Sequence, residues 1–134
     1  MPSVLIVDDD EAIRASLRLV LEDAGYRVAE AIHGGEALTL LRRCSERRVV
    51  LLDQRMPVLD GTGVLRTLQT DPALAQQHSV VLITALPQLP LPTQNLSALL
   101  GVPVLKKPIN ADRLLALVAQ QARRLSGSQE AEQP

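Results

Sequence analysis

Val49-Val50-Leu51-Leu52-Asp53 decides the fold. An unbroken apolar run, half of it β-branched, ends on a single carboxylate. A surface helix would interrupt such a run with polar positions, and a half-exposed strand would alternate; an uninterrupted run fits a strand buried on both faces of a parallel sheet. Three further runs follow the same plan. Val4-Leu5-Ile6-Val7 ends at Asp8-Asp9-Asp10, Val80-Val81-Leu82-Ile83 at Thr84, and Val102-Pro103-Val104-Leu105 at Lys106-Lys107. Ligands of parallel sheets bind beyond the carboxyl ends of the strands. If the runs are parallel neighbours, several carboxylates, a hydroxyl and an ammonium meet in one crevice.

Between the runs lie helical stripes. Asp9 or Asp10 can cap a helix whose apolar face is Ile13, Leu17, Val20, Leu21 and Ala24, and Gly25 stands where a left-handed C-cap is wanted. Tyr26–Ala31 reads as a second strand, and His33-Gly34-Gly35 as a turn before a helix carrying Ala37, Leu38, Leu41 and Cys44. After Asp53, the turn signal Asp60-Gly61 opens a third helix with Val64, Leu65 and Leu68 inside; it stops before Asp71-Pro72. Pro87, Pro90 and Pro92 forbid regular helix across their segment, so only Gln94–Leu100 is expected to be helical there. Asn110 or Asp112 starts a last helix with Leu114, Leu117, Val118 and Leu125 turned inward. Strand and helix alternating in this way predict an α/β domain with a parallel sheet covered on both faces.

The 134-residue length fits one domain, over residues 1–125, with 126–134 a polar tail expected to be disordered. A net charge of −1 and a lone aromatic, Tyr26, argue against nucleic-acid binding by a basic face or by stacked bases. Cys44 stands alone, which excludes a disulfide framework or thiolate metal site and suggests a buried inert thiol. His33 and His78 fall in predicted loops as surface residues. No signal peptide or membrane-spanning stretch is present, so the expected location is the cytoplasm, with no membrane partner.

Asp8, Asp9 and Asp53 would place like charges together, which raises carboxylate pKa values unless a cation intervenes. Mg²⁺ suits the purpose, with Mn²⁺ as a substitute: it takes oxygen ligands and keeps waters that a phosphate can replace. Lys107 adds a fixed positive charge and Thr84 a hydroxyl. Together these groups can hold a phosphoryl group and stabilise its oxygens, with one carboxylate as nucleophile; Asp53, alone at the end of a central run, is the natural choice.

At these residues the chain resembles the receiver domains of two-component response regulators. The matching pieces are Leu5–Asp10, Leu52–Pro57 with Asp60-Gly61, Ile83–Ala85 and Lys107-Pro108, in order and spanning Val4 to about Leu125. The resemblance implies a flavodoxin-like (βα)5 doubly wound sheet of strand order 2-1-3-4-5, with the fourth helix shortened or distorted by the prolines. It implies phosphorylation at Asp53 and metal binding by Asp8, Asp9, Asp53 and the backbone carbonyl of Arg55. Thr84 and Lys107 match the family's phosphate-binding switch residues, and Pro108 its cis-proline. Implied partners are a sensor histidine kinase or histidine phosphotransfer protein, a downstream protein or effector domain, and a second copy of the chain. The implied role is that of a phosphorelay signalling switch rather than a turnover enzyme.

The chain departs from the family at Pro87–Pro92, at Val104 (where the family usually has Tyr or Phe), at the cationic Arg55 and at the apolar Leu86. Two other readings stay open: a degenerate receiver that binds partners without phosphorylation, and a haloacid-dehalogenase-like phosphatase, whose Asp-x-Asp pattern Asp8 and Asp10 mimic. The phosphatase needs a further acidic pair after a later strand, and none follows Asp60 in the expected place.

Overall fold

The strands pair as the apolar runs require. The structure, a computed structural model, describes residues 2–131, with side chains to Ser126. In chain order the elements are β1 (Ser3–Val7), α1 (Glu11–Asp23), β2 (Val28–Ala31), α2 (Gly34–Arg43), β3 (Arg48–Asp53), α3 (Gly61–Gln69), α4 (Pro72–Gln77), β4 (Ser79–Thr84), α5 (Leu91–Leu100), β5 (Val104–Lys106) and α6 (Ala111–Ala131). The five strands form one parallel sheet in the order β2-β1-β3-β4-β5. Its order reverses beside β1, so β1 and β3 stand side by side with their carboxyl ends at the switch point where such sheets bind ligands.

Alternation along each strand divides the core in two. Leu5, Val7, Val50, Leu52 and Leu82 pack beneath α2, α3 and α5. Val4, Ile6, Val49, Leu51, Val81 and Ile83 pack against α1 and α6 through Leu17, Leu21, Leu114 and Val118. Both layers are aliphatic. Tyr26, between α1 and β2, is partly buried at the margin of the second. At roughly 25 cal/mol per Å² of apolar surface, each fully buried leucine contributes about 2 kcal/mol, so the sheet is held chiefly by its two covers.

Local chemistry sets the boundaries. The Asp10 carboxylate accepts from Ala12 N at 2.9 Å and from Ile13 N at 3.2 Å, capping α1, and Gly25 takes φ 95° just past its end. Asp60 caps α3 through Gly63 N at 2.9 Å, and Asn110 caps α6 through Arg113 N at 3.0 Å.

Several boundaries and burials differ from the sequence expectation. The prolines shift the start of α5 instead of breaking it. The helix begins at Leu91, and Pro92 occupies its first turn, where a missing N–H costs nothing because that donor has no intrahelical acceptor. Residues 72–77 form the extra short helix α4, with Asp71 as its cap and Pro72 in its first turn, a start signal that reads equally well as a stop. The second strand is shorter than Tyr26–Ala31 and begins at Val28. Cys44 is half-buried at the end of α2, not a core thiol. His33 caps α2, its Nδ1 accepting from Glu36 N at 3.1 Å. His78 is buried instead of lying on the surface, because the turn from α4 into β4 tucks it under the start of β3. α6 continues past residue 125, where composition predicts the ordered domain to end, as far as Ala131. Residues 132–134 of the predicted tail lie outside the described residues.

Candidate functional site

Four parallel strands deliver the residues at their carboxyl ends to one place. Asp8 follows β1, Asp53 ends β3 and Thr84 ends β4, while Lys107 follows β5. With Asp9, Asp10, Ile13, Arg55 and Ala85 they line a crevice of about 210 Å³. At about 30 Å³ per liquid water, that is room for a small anion and a hydrated ion.

Asp8, Asp9 and Asp53 each bring a carboxylate oxygen to within 4.8 Å of the other two. Asp8 and Asp53 are buried; Asp9 is exposed at the mouth. The Lys107 ammonium lies 3.0 Å from Asp53 Oδ1 and 3.7 Å from Asp8 Oδ2. Asp8 is held further by Asp10 N, which donates to its carboxylate at 2.9 Å. The Thr84 hydroxyl is buried and accepts from Leu86 N at 3.0 Å, which leaves its O–H as a donor. Lys106, one residue before Lys107, points elsewhere and donates to the Pro87 carbonyl.

The crevice carries more negative charge than its ammonium neutralises. Burial raises the Asp53 pKa above its ordinary value; the hydrogen bond from Lys107 opposes this, and the charges of Asp8 and Asp9 add to it. Burial alone would lower the Lys107 pKa, but the hydrogen bond and charge of Asp53, together with Asp8, outweigh it and leave the pKa raised. Both shifts have one meaning: a further positive charge is favourable here. An all-oxygen donor set with surplus negative charge fits a hard divalent cation such as Mg²⁺ and offers a soft metal neither sulfur nor imidazole.

Asp8, Asp9, Asp53, Thr84 and Lys107, the side chains singled out from sequence for metal or phosphate binding, all lie at this crevice, and Arg55 is on its rim. Pro108, joined to Lys107 by a cis peptide bond, lies just outside and lines the neighbouring groove. Two residues were not foreseen. Arg14 donates to the Asp8 backbone carbonyl at 2.8 Å and to Glu30 at 3.0 Å. Its signal was weak: Arg14 and Arg18 are two cations four residues apart beside an apolar stripe. Gln54 is buried behind Asp53 and donates to Thr62 Oγ1 at 2.8 Å, which in turn is 2.6 Å from Thr93 Oγ1 on α5. Nothing in the strand pattern distinguishes this glutamine from a loop residue.

Comparison with known proteins places these features in a family. Residues 4–119 match the response regulator receiver domain. The DNA-binding dual master transcriptional regulator RpaA of Synechocystis is 35% identical over 127 residues, covering 92% of this chain and 50% of that protein. The transcriptional regulatory protein AfsQ1 of Streptomyces coelicolor is 40% identical over 87 residues, covering 63% of this chain and 36% of that protein. The chain thus spans half or less of the length of these relatives. Among solved structures, a CheY-like response regulator receiver domain protein from Methanospirillum hungatei superposes with a TM-score of 0.77 at 29% identity, covering 96% of this chain and 97% of the other.

Proposed function

The chain belongs to the receiver domain family of two-component response regulators, and from that premise we propose that it is a phosphoryl acceptor whose acceptor atom is a carboxylate oxygen of Asp53. The observation that carries this reading is the buried Asp53 held 3.0 Å from Lys107 with Asp8 and Asp9 in the same crevice. An isolated structural ion pair has no need of two more carboxylates beside it.

Asp53 is the nucleophile. Its oxygen attacks the phosphorus of a phosphohistidine, the P–N bond breaks, the electron pair stays on the imidazole nitrogen, and an acyl phosphate forms. Lys107 neutralises Asp53 beforehand and meets a phosphoryl oxygen afterwards, so its charge is in place throughout. Thr84 supplies its O–H to another oxygen; its bond with Leu86 N uses only a lone pair. Asp8, Asp9, Asp53 and the Arg55 carbonyl would hold Mg²⁺ or Mn²⁺, which when bound offsets the charge on the transferring phosphoryl oxygens. One phosphoryl group is accepted per chain, so the role is that of a switch and not of a turnover enzyme.

The phosphodonor is a histidine kinase or a histidine phosphotransfer protein. Beside the crevice, and sharing Lys107 with it, lies an apolar groove formed by Ile13, Leu17, Val20, Ile109 and Leu114, which suits an apolar helix face carrying the donor histidine. The signal then passes by protein contact to a downstream partner or effector domain in the cytoplasm, without nucleic-acid contact by this domain. Among the described residues no helix is long and apolar enough to cross a membrane.

The test is incubation with a small-molecule phosphodonor and Mg²⁺, read by intact mass. One phosphoryl adduct, absent with Asp53→Asn and absent when the ion is chelated, is expected. An adduct that survives Asp53→Asn would sink the assignment. Steady release of phosphate from assorted phosphomonoesters would move the protein to the phosphatase class.

A further inference from the structure

Arg14 makes contacts that the acceptor chemistry has not used. Its side chain is only 13% exposed although it rises from the first turns of a surface helix. The guanidinium spans two elements: Nη1 donates to the Asp8 carbonyl at 2.8 Å and Nε to Glu30 Oε1 on β2 at 3.0 Å. Glu30 is fixed from the other side by Arg18 Nε at 2.8 Å. The hydrogen bond from Arg18 holds the Glu30 carboxyl below the usual range; burial opposes this and Arg14 reinforces it. Glu30 thus stays ionised as the anchor for Arg14.

The carbonyl that Arg14 grips belongs to the peptide joining Asp8 to Asp9. Asp8 is fixed independently: its N–H donates to Ala31 O at 3.1 Å, and its carboxylate accepts from Asp10 N and faces Lys107. Asp9 is the exposed member of the trio, and among the described residues its carboxylate has neither a hydrogen-bond nor an ion-pair partner. Its direction depends on the plane of the peptide before it, and Arg14 holds that plane.

We propose that Arg14 is a positioning residue for divalent-ion binding, fixing the Asp8–Asp9 peptide so that the unanchored Asp9 carboxylate is aimed into the crevice. The proposal rests on the reading of the crevice as an Mg²⁺ site. It makes a prediction of opposite sign to simple electrostatics. Removing a cation beside a cation site strengthens Mg²⁺ binding if charge alone matters, and weakens it if aim matters.

The experiment is calorimetric titration of the full chain with MgCl₂, with thermal melting as a control. For Arg14→Gln we expect the Mg²⁺ dissociation constant to rise about tenfold, the low end of the range seen when outer partners of metal ligands are removed. Arg14→Gln/Glu30→Gln, which restores the net charge, is expected to be equally weak. Arg14→Lys, the milder change should Arg14→Gln fold poorly, is expected to fall between, because one ammonium cannot replace a two-armed fork. Binding by Arg14→Gln that is unchanged or tighter overturns the proposal. So does recovery in the double variant, which would assign the effect to the charge of a Glu30 released from Arg14. If the wild type takes up no Mg²⁺, the reading of the crevice itself fails and the proposal falls with it; wild-type binding that Arg14→Gln leaves intact refutes the proposal alone.

Discussion

The two ends of the sheet bury ionisable groups to opposite effect. At the carboxyl end, burial with the charges of Asp8 and Asp9 raises the Asp53 pKa, and Asp53 and Asp8 raise that of Lys107 against its burial, so that this end draws positive charge in. At the amino end, His78 sits beneath the starts of β3 and β4, its Nδ1 accepting from Arg48 N at 3.1 Å. Burial, followed by the charges of Arg48 and Arg47, lowers its pKa from 6.5 to about 4, although the nearby Leu41 carbonyl opposes the shift. That carbonyl is not in hydrogen-bonding geometry, and His78 Nε2 is unpartnered, as are the buried Ser3 Oγ and Arg48 Nε at the same end. Burial alone therefore does not make a binding site. The company a buried group keeps decides whether it attracts a cation or rejects a proton.

The strongest way to break this contrast is to titrate the amino end. In the unfolded chain His78 takes its proton near pH 6.5, and in the folded protein only near pH 4, so folding favours the neutral ring. Its contribution is full above pH 6.5 and is lost as the pH falls toward 4, a change of roughly 3 kcal/mol at 1.36 kcal/mol per pH unit. Urea unfolding across that window should show the slope, and His78→Asn, which keeps an acceptor for Arg48 N–H, should flatten it. A wild-type stability that is level from pH 7 to 4.5 would refute the account.

At the carboxyl end, Lys107→Met removes the one ammonium facing Asp53 and Asp8. Breaking a buried ion pair costs about 3–5 kcal/mol in general, and about 2 kcal/mol is expected here because the lysine is partly solvated. MgCl₂ should restore more stability to this variant than to the wild type. Equal Mg²⁺ stabilisation of both would show that the surplus charge is not what attracts the ion.

The smallest effect concerns strain. Val58, in the loop after Asp53, is 84% exposed and has φ 69°, and it is the sole non-glycine residue at positive φ among those described. Left-handed backbone costs a β-branched residue on the order of 1–2 kcal/mol, part of which glycine forfeits through its freer unfolded chain. Val58→Gly should therefore stabilise the protein by about 0.5 kcal/mol without changing the phosphoryl adduct. A destabilised Val58→Gly would show that the side chain itself holds the loop.

The carboxyl end was legible in the sequence because its signals are local: each apolar run points at its own terminal residue, and parallel pairing does the rest. Asp8, Asp9, Asp53, Thr84 and Lys107 were all named from that pattern, and the structure brings them to one crevice. The amino end was not legible. Whether His78 is buried depends on the unforeseen α4 and on the register of β4 beside β3, which are tertiary facts. Proline misled for a related reason, since the same residue stops one helix and suits the first turn of another, as Pro72 and Pro92 show. Arg14 and Gln54 escaped notice because their partners lie on other elements.

The aliphatic core has a spectroscopic consequence. With no tryptophan and Tyr26 placed near the amino end, beside α1 and β2, the protein has no intrinsic chromophore next to Asp53. Events in the crevice are optically silent, and the one ring that fluoresces reports instead on the packing of α1 against β2. A Trp introduced at Leu86, whose N–H is bonded to Thr84, would give the silent end a reporter.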